Sequence, residues 1–251
     1  MTIMQDGTFW LNGRHSKEIH SYIRTRPKKT KAKRVVELKE VAGVNRLIPV
    51  DKEYYTNATL SLSCFYLAKN KFDIAVLEDI VTEFIDTKGE YVEFTPYYDP
   101  DFIYYVINSN EPNFEGHRGT GLGVPFSFDL SVAPFKMLIR GNQAQVFNEP
   151  FTLENPLRYS SEPYFKIYGQ GDVTIKINDY ELVLKSIEEF IEIDCDQEIQ
   201  EVYKETIDGM INENSKMYSR EFPKFIPGEN KISWVGDVKS VVVKGRWRTK
   251  I

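Results

Sequence analysis

The sequence predicts a mainly β protein of two domains with a single helix. Aromatic residues make up 14% of the 251 residues, including 15 Tyr and 16 Phe, and their stiff, flat side chains pack well on pleated sheets. Most apolar residues alternate with polar ones, which is the period of a half-buried strand. Only one segment has the three- and four-residue spacing of an amphipathic helix. We therefore expect a β-rich N-terminal domain that carries the helix, followed by a second β-rich domain.

Strands dominate the first half of the chain. We predict them at residues 8–11, on both sides of a break at 42–45 within 35–50, at 58–66, at 91–94, at 102–108 and at 124–132. Asn12 and Gly13 form a dipeptide typical of a two-residue hairpin. Pro134 cannot donate a backbone hydrogen bond, so we expect the strand that begins near Val124 to end there.

The helix is predicted at residues 73–88. Its apolar stripe is formed by Ile74, Leu77, Val81 and Phe84, flanked by Ile80 and Ile85. Asn70 or Asp73 can cap the first turn, and Gly89 is placed to end the last. A stripe this wide indicates a helix that packs against a sheet.

The second domain is predicted to begin near residue 139, which gives domains 1–138 and 139–251. Residues 173–184 indicate a hairpin across Asn178-Asp179, and residues 201–219 indicate a strand, a turn and a strand. Ile232 and Trp234 share one side of a strand. Gly236-Asp237 is then expected to turn the chain into a valine-rich strand that leads to Trp247.

Charge and cysteine content narrow the classes of function. The formal net charge of -5 argues against a general nucleic-acid binder. No apolar run approaches the roughly 18–20 residues of a membrane helix, and no signal-peptide core is present, so we expect a soluble protein made in the cytoplasm. Cys64 and Cys195 lie in predicted strands far apart in sequence, and two buried thiols are expected in place of a disulfide.

One segment is strongly basic, whereas the chain as a whole has a net negative charge. Residues 24–34, here called the basic arm, contain seven basic residues: Arg24, Arg26, Lys28, Lys29, Lys31, Lys33 and Arg34. They form either a solvated loop or a contact arm against an acidic neighbouring subunit. A DNA-binding arm is disfavoured, because no aromatic residues are interleaved for base stacking.

Catalytic groups are sparse in the sequence. The histidines are His15, His20 and His117. None has metal-ligand spacing with another His or Cys, and His15 and His20 are expected at the surface. Asp194 and Asp196 share one face of a strand, where they form either a calcium site or a solvated acidic face; the second reading is favoured, since a calcium loop needs more oxygens around a turn. We expect a protein that is not an enzyme and has no catalytic residues, cofactor or bound metal.

An ordered series of short motifs marks residues 222–251. In chain order they are Phe222-Pro223, the Pro-Gly-Glu-Asn turn at 227–230, Ile-Ser-Trp at 232–234, a valine strand and Arg246-Trp247-Arg248. This series resembles the C-terminal part of distal tail proteins (Dit) of long-tailed, siphovirus-type phages. Further matching landmarks are residues 133–135 (Ala-Pro-Phe), residues 168–172 (Tyr-Gly-Gln-Gly-Asp), Ile177-Asn178 and Ile193-Asp194. Gly245 stands where such proteins usually have proline.

The resemblance implies more than the residues themselves do. It implies that 1–138 is a β-sandwich-like, ring-forming domain with one helix and that 139–251 is a galectin-like β-sandwich. It also implies that the chain is a hub subunit of the phage tail tip, part of the virion. Implied partners are further copies in a hexameric ring, the major tail tube protein, the tail-tip or tail-associated lysin protein, and baseplate or receptor-binding proteins. DNA would pass through the ring without specific binding, and no membrane is involved. The alternative is a carbohydrate-binding module that presents Trp234 and Trp247, although their spacing favours a place in the core.

Overall fold

A computed structural model of the chain describes residues 4–28, 30–115 and 122–251. Antiparallel strands dominate these residues, together with one α-helix, α1 (Ile74–Ile85), which confirms the mainly β fold class. The strands β1 to β19 are, in chain order, Phe9–Leu11, Arg14–His15, Ser21–Thr25, Arg34–Lys39, Ile48–Tyr55, Ala58–Leu67, Val92–Pro96, Phe102–Asn108, Asn113–Phe114, Gly123–Leu138, Gln145–Phe147, Phe151–Asn155, Tyr164–Ile177, Tyr180–Ile187, Phe190–Asp194, Glu201–Thr206, Gly209–Asn212, Gly228–Lys244 and Arg248–Lys250. Short 3-10 turns occur at Ser16–Ile19, Lys71–Asp73, Ile139–Asn142 and Asn214–Lys216.

The chain divides into two compact units. The first contains Met1–Lys136 together with Lys250–Ile251, and the second contains Met137–Thr249. Ile251 is buried in the first unit, where its backbone N–H donates to the carbonyl of Pro134. The division into independent domains at 1–138 and 139–251 stays a prediction.

The first unit is built on a sheet in the order β2-β1-β7-β8-β10-β6-β3, with β9 and β19 also paired to β10. Strands β6 and β10 form its longest ladder, in register from Ala58 opposite Val132 to Leu67 opposite Gly123. Alternate residues of β6 are buried, as the sequence pattern predicts. Helix α1 covers the sheet through Val81, Phe84 and Ile85, and the ring of Phe84 meets that of Phe9 at 6.1 Å.

The helix is shorter than predicted. It ends at Ile85 and not at residue 88, because Asp86 leaves the helical conformation and its carboxylate accepts the backbone N–H of Lys88. Such a local bond competes with helix continuation. Gly89 has a φ of 78° and lies in the turn that follows, while Asn70 caps the 3-10 turn that precedes the helix.

Pro134 does not end β10. Its missing N–H coincides with the end of the ladder between β10 and β6 at Val132, but β10 itself continues to Leu138. The proline carbonyl still accepts a hydrogen bond, and it takes one from Ile251. The prediction was wrong because a proline removes only a donor, and a strand can continue with a partner that needs an acceptor.

The second unit contains a sheet in the order β11-β18-β13-β15-β16-β17, with β12 paired to β18 and β14 to β13. The predicted hairpin across Asn178-Asp179 is present as β13–β14, and the predicted strand, turn and strand appear as β16–β17. Its buried side chains are mostly aliphatic residues of β13, β14, β15 and β18, such as Ile167, Ile175, Leu184, Ile193 and Val241.

The turn predicted at Gly236-Asp237 is absent, because both sides of it belong to the single strand β18. This strand pairs with β13 from Ile232 to Lys244, and the register shifts on both sides of the stretch that contains Gly169 and Gln170. Gly236 has a φ of 113°, and a Cβ there would overlap the carbonyl oxygen of Asp172. A Cβ on Gly169, in β13, would overlap the carbonyl of Asp237. The two glycines therefore permit a bulged close approach and do not form turns.

Candidate functional site

The basic arm lies on the surface of the first unit. Its described basic residues, Arg24, Arg26, Lys28, Lys31, Lys33 and Arg34, are all exposed, whereas Lys29 lies outside the described residues. The arm is attached to the unit at Ala32, which is buried and donates its N–H to the carbonyl of Ile251 at 3.4 Å. Arg26 lies 5.2 Å from the centre of the Tyr98 ring. These contacts fix the course of the arm and leave most of its charges facing solvent.

Arg34 is used within the chain. Its Nε donates to both carboxylate oxygens of Asp51, at 2.9 and 2.8 Å, and its Nη1 donates to the Tyr55 hydroxyl. Hydrogen bonding by Asp51 and then Tyr55 raises the pKa of Arg34, and the bonds from Arg34 lower the pKa of Asp51. Arg34 thus closes the base of the β4–β5 hairpin.

That hairpin is a separate two-stranded sheet whose surface is rich in exposed apolar side chains. Several large apolar side chains on it are exposed: Val36, Leu38, Val41, Val44, Leu47, Ile48 and Tyr54. Val36 and Leu38 share one face, opposite Asp51 and Pro49 of β5. We call these exposed residues the hairpin surface. Exposed apolar residues that lie together are common at interaction sites, so the hairpin surface is a candidate for one.

A second exposed apolar area lies on the outer side of α1. The helix-side patch consists of Leu67, Phe72, Val76 and Ile80, all exposed, with Phe72 at 93%. Leu67, Val76 and Leu77, with His20, Lys69 and Asp73, line a shallow depression of about 230 Å³. The helix itself carries Glu78, Asp79 and Glu83 and no basic residue. Of the predicted apolar stripe only Ile80 is exposed, and the other exposed residues of the patch lie outside that stripe.

The motif Arg246-Trp247-Arg248 holds the second unit together. Arg246 binds Asp194 through two parallel hydrogen bonds of 2.6 and 2.7 Å, and Arg248 binds Glu162 in the same way at 2.9 and 2.8 Å. Both carboxylates are buried. Burial is the largest single influence on Asp194 and opposes its ionisation. The hydrogen bonds from Arg246, the backbone N–H of Asp196 and the positive charges of Arg246 and Lys244 together outweigh it, so the pKa of Asp194 is lowered.

The expectation of a solvated acidic face at residues 194 and 196 is wrong for Asp194, which is buried against Arg246. Asp196 is half-buried, and its carboxylate accepts the backbone N–H of Glu198. Within the described residues, no group of three or more His, Cys, Asp or Glu side chains is arranged to hold a metal ion.

Trp234 and Trp247, the tryptophans of the carbohydrate-binding alternative, differ in their surroundings. Trp247 is buried, as predicted, and its ring lies 5.5 Å from that of Phe225. A Cβ on Gly141 or Gly245 would overlap Trp247, so the glycine at position 245 gives this ring its space. Trp234 is only half-buried and was wrongly expected in the core; its ring lies 6.2 Å from that of Phe151, which stacks on Phe147.

The remaining candidates are the histidines and the cysteines. His15 is half-buried, and its Nδ1 accepts the backbone N–H of Lys17; His20 is exposed, and His117 lies outside the described residues. Burial lowers the pKa of His15. Cys64 and Cys195 are free, buried thiols, as predicted, and burial raises the pKa of each. In the part of the chain that the structure describes, no helix has the length and apolar character needed to span a membrane.

Comparison with solved structures identifies the fold. The chain is similar to SPP1 Dit, whose structure is described as a paradigm of the hub adsorption apparatus in phages that infect Gram-positive bacteria; the TM-score is 0.72 at 10% identity, over 95% of this chain and 98% of that one. It is also similar to a chain of the phage P2 baseplate in its activated conformation, with TM-scores of 0.54 in the calcium-containing structure and 0.56 in the strontium-containing one. Identities there are 9% and 8%, and the matches cover 98% of this chain and 99% of the other. No family model and no curated protein matches the sequence.

Proposed function

We propose that this chain is a structural hub subunit of a phage tail tip that assembles into a hexameric ring. The observation that carries the proposal is the similarity to SPP1 Dit over nearly the full length of both chains. The resemblance of the short motifs to distal tail proteins agrees with that fold. The chain acts by assembly and not by catalysis, and it works in the virion.

The two units have different roles in this proposal. The first forms the ring, with the tail tube above it and DNA passing through its opening without specific contacts. The second is a galectin-like sandwich that faces the surrounding baseplate. The ring joins the major tail tube protein to the tail-tip or tail-associated lysin protein and to receptor-binding proteins.

The basic arm contacts an acidic surface on a neighbouring subunit. Six of its seven basic residues are described, and all six are exposed. Arg34 is already paired with Asp51, so the contact depends on Arg24, Arg26 and the lysines. Exposed ion pairs contribute only about 0–1 kcal/mol each, but several pairs repeated around a closed ring add to the stability of the assembly.

Light scattering coupled to size exclusion tests the ring directly. We expect the purified chain to have the mass of six copies and to appear in negative-stain micrographs as closed rings with a central opening. A particle with the mass of one chain at all concentrations would contradict the proposal.

Carbohydrate binding is the second candidate, and the half-buried Trp234 favours it. Its ring, together with Phe151 and Phe147, forms a partly exposed aromatic cluster in the second unit. Aromatic faces are suited to the apolar faces of sugars. We expect purified cell-wall polysaccharide to bind with at least tenfold lower affinity to folded Trp234→Ala if this candidate is correct, and no binding by either protein if it is not.

A further inference from the structure

We propose that Lys250 and Ile251, here called the clasp, hold the basic arm on the first unit. Both residues belong to the first unit, although they follow the whole second unit in sequence. The clasp therefore makes the course of the arm, and any assembly through the arm, dependent on synthesis of the second unit. The holding of the arm goes beyond the proposed function, whereas the effect on assembly rests on the proposed ring.

Ile251 is a core residue of the first unit. It is 5% exposed and belongs to the same buried cluster as Leu60, Tyr104 and Val132. The space left beside its side chain is a cavity of about 10 Å³. Its backbone N–H donates to the carbonyl of Pro134 in β10 at 3.1 Å. Ile251 is therefore held both by side-chain packing and by a backbone hydrogen bond.

The basic arm meets the clasp at Ala32. This alanine is 3% exposed, and it is the one buried residue among the described residues of the arm. Its N–H donates to the carbonyl of Ile251, and Thr30 and Ile251 line the same small cavity. Lys31 and Lys33, on either side of Ala32, are exposed. Since like charges in solvent repel one another and gain no packing, the contact at Ala32 determines where this part of the arm lies.

The ends of the arm have attachments of their own. Arg26 contacts the Tyr98 ring, and the carbonyl of Lys33 accepts the N–H of Thr56 at 2.9 Å. Loss of the clasp should therefore release residues 27–32, between these two attachments, and leave the rest of the first unit folded.

Lys250 extends the clasp to the base of the β4–β5 hairpin. Its ammonium lies 5.1 Å from the centre of the Tyr55 ring, which also lies 5.3 Å from the guanidinium of Arg34. Strand β19, which ends at Lys250, pairs with β10. The clasp is thus tied to β10 and contacts the place where the arm enters the hairpin.

The order of the chain gives the clasp its consequence. Residues 137–249 form the second unit, and only then does the chain return to the first unit with residues 250 and 251. Domains generally fold from the N-terminal end as the chain is synthesised. A chain that stops short of residue 250 contains the whole basic arm but not the residues that hold it. Ring formation through the arm then waits for a chain that already contains its second unit.

Hydrogen–deuterium exchange at the Ala32 amide tests the clasp in the full chain. Ile251→Asp places a charge in the core and should displace the clasp, whereas Ile251→Val keeps the packing and the backbone. Ile207→Asp, at a fully exposed isoleucine of the second unit, is the matched control. We expect Ile251→Asp to exchange about tenfold faster in peptides that contain Ala32, with peptides of α1 and of the second unit unchanged. Ile251→Val and Ile207→Asp should exchange as the wild type does.

Assembly is measured separately by light scattering. We expect Ile251→Asp to have the mass of one chain, and Ile251→Val and Ile207→Asp to keep the wild-type mass. A variant with serine at the four lysines of the basic arm weakens assembly but retains the clasp, so Ala32 should stay protected in it. This comparison separates release of the arm from loss of contacts in the ring.

The outcomes separate the clasp from the proposed function. A folded Ile251→Asp whose Ala32 amide stays protected overturns the clasp, and Ile251→Ser takes its place if the aspartate variant does not fold. Exchange that rises evenly through the first unit in both variants makes Ile251 an ordinary core residue and also overturns the clasp. Rings that persist while the arm is released overturn the dependence of assembly on the clasp. A wild-type chain with the mass of one copy overturns the ring, and the exchange at Ala32 still decides whether the clasp holds the arm.

Discussion

Replacing Arg246 with methionine removes one partner of a buried ion pair in the second unit. The side chains of Arg246 and Asp194 are 15% and 8% exposed. Methionine keeps the apolar stem of the arginine and removes the guanidinium, which donates both hydrogen bonds to Asp194. The carboxylate is then left buried with only the backbone N–H of Asp196.

The expected loss of stability is large. Removing one member of a buried pair costs about 3–5 kcal/mol, because the remaining charge is desolvated without compensation. Replacing both members with uncharged residues is often close to neutral. The double variant Asp194→Asn/Arg246→Met retains an acceptor for the Asp196 N–H and should lie within about 1–2 kcal/mol of the wild type.

Urea unfolding followed by far-ultraviolet circular dichroism measures these differences. Lys176→Met is the matched control, because Lys176 pairs with Glu181 at 2.9 Å on the surface of the same unit. Exposed pairs contribute about 0–1 kcal/mol, so this variant should change little. A loss below about 1 kcal/mol in Arg246→Met, or a double variant as unstable as Arg246→Met, would refute the reasoning.

The same pair predicts a dependence on pH. The folded-state pKa of Asp194 is lowered from its ordinary value of 3.8. The ionised carboxylate therefore contributes stability above pH 3.8, and this contribution is lost as the pH falls through the folded-state pKa. In Arg246→Met the unpaired carboxylate is protonated more readily. The stability difference between wild type and variant should therefore shrink steadily as the pH is lowered from 7 to 3.

Three further predictions concern packing, charge and backbone. Trp247→Ala should destabilise the second unit by about 3–5 kcal/mol, whereas Trp234→Ala, at a half-buried site, should cost less than half as much in the same urea titration. Replacing the four lysines of the basic arm with serine should weaken assembly at low salt and flatten the salt dependence of assembly, as measured by sedimentation velocity. The reason is that exposed charges are screened near 1 M salt. If the ratio of rings to single chains is unchanged across low and high salt, the arm is a solvated loop. The four positions are Lys28, Lys29, Lys31 and Lys33. Gly236→Ala should lower the melting temperature, because the φ of 113° at this position and the nearby Asp172 carbonyl both oppose a Cβ. Gly228 has a φ of 82° and no atom near the position of a Cβ, so Gly228→Ala should lower the melting temperature less.

Local patterns in the sequence were sufficient for elements whose form depends on near neighbours. The alternation in β6, the apolar spacing of α1 and the Asn178-Asp179 turn each occur within about ten residues. The β18 strand could not be predicted in this way, because Gly236-Asp237 has the composition of a turn. It is a bulge only because β13 pairs with the chain on both sides of it.

The exposed surfaces of the first unit show a second limit of sequence reasoning. The density of positive charge predicted an exposed arm, and the structure places it on the surface. The spacing of Val76 and Ile80, however, is the same whether a helix face is buried in a sheet or presented to a partner. Only the exposure of Phe72, Val76 and Ile80 separates the two, and this exposure is a property of the folded chain and not of the local sequence.

The motif residues that resemble distal tail proteins are mainly residues of internal packing. Arg246 and Arg248 bind buried carboxylates, Trp247 fills a space that Gly141 and Gly245 leave open, and Asp194 is one of the bound acids. Their constraints come from the fold and not from a partner. A motif of this kind can therefore identify a fold at 10% identity while giving no information on what the protein contacts. The hairpin surface and the helix-side patch are not part of this series of motifs, so the resemblance does not identify what these two surfaces contact.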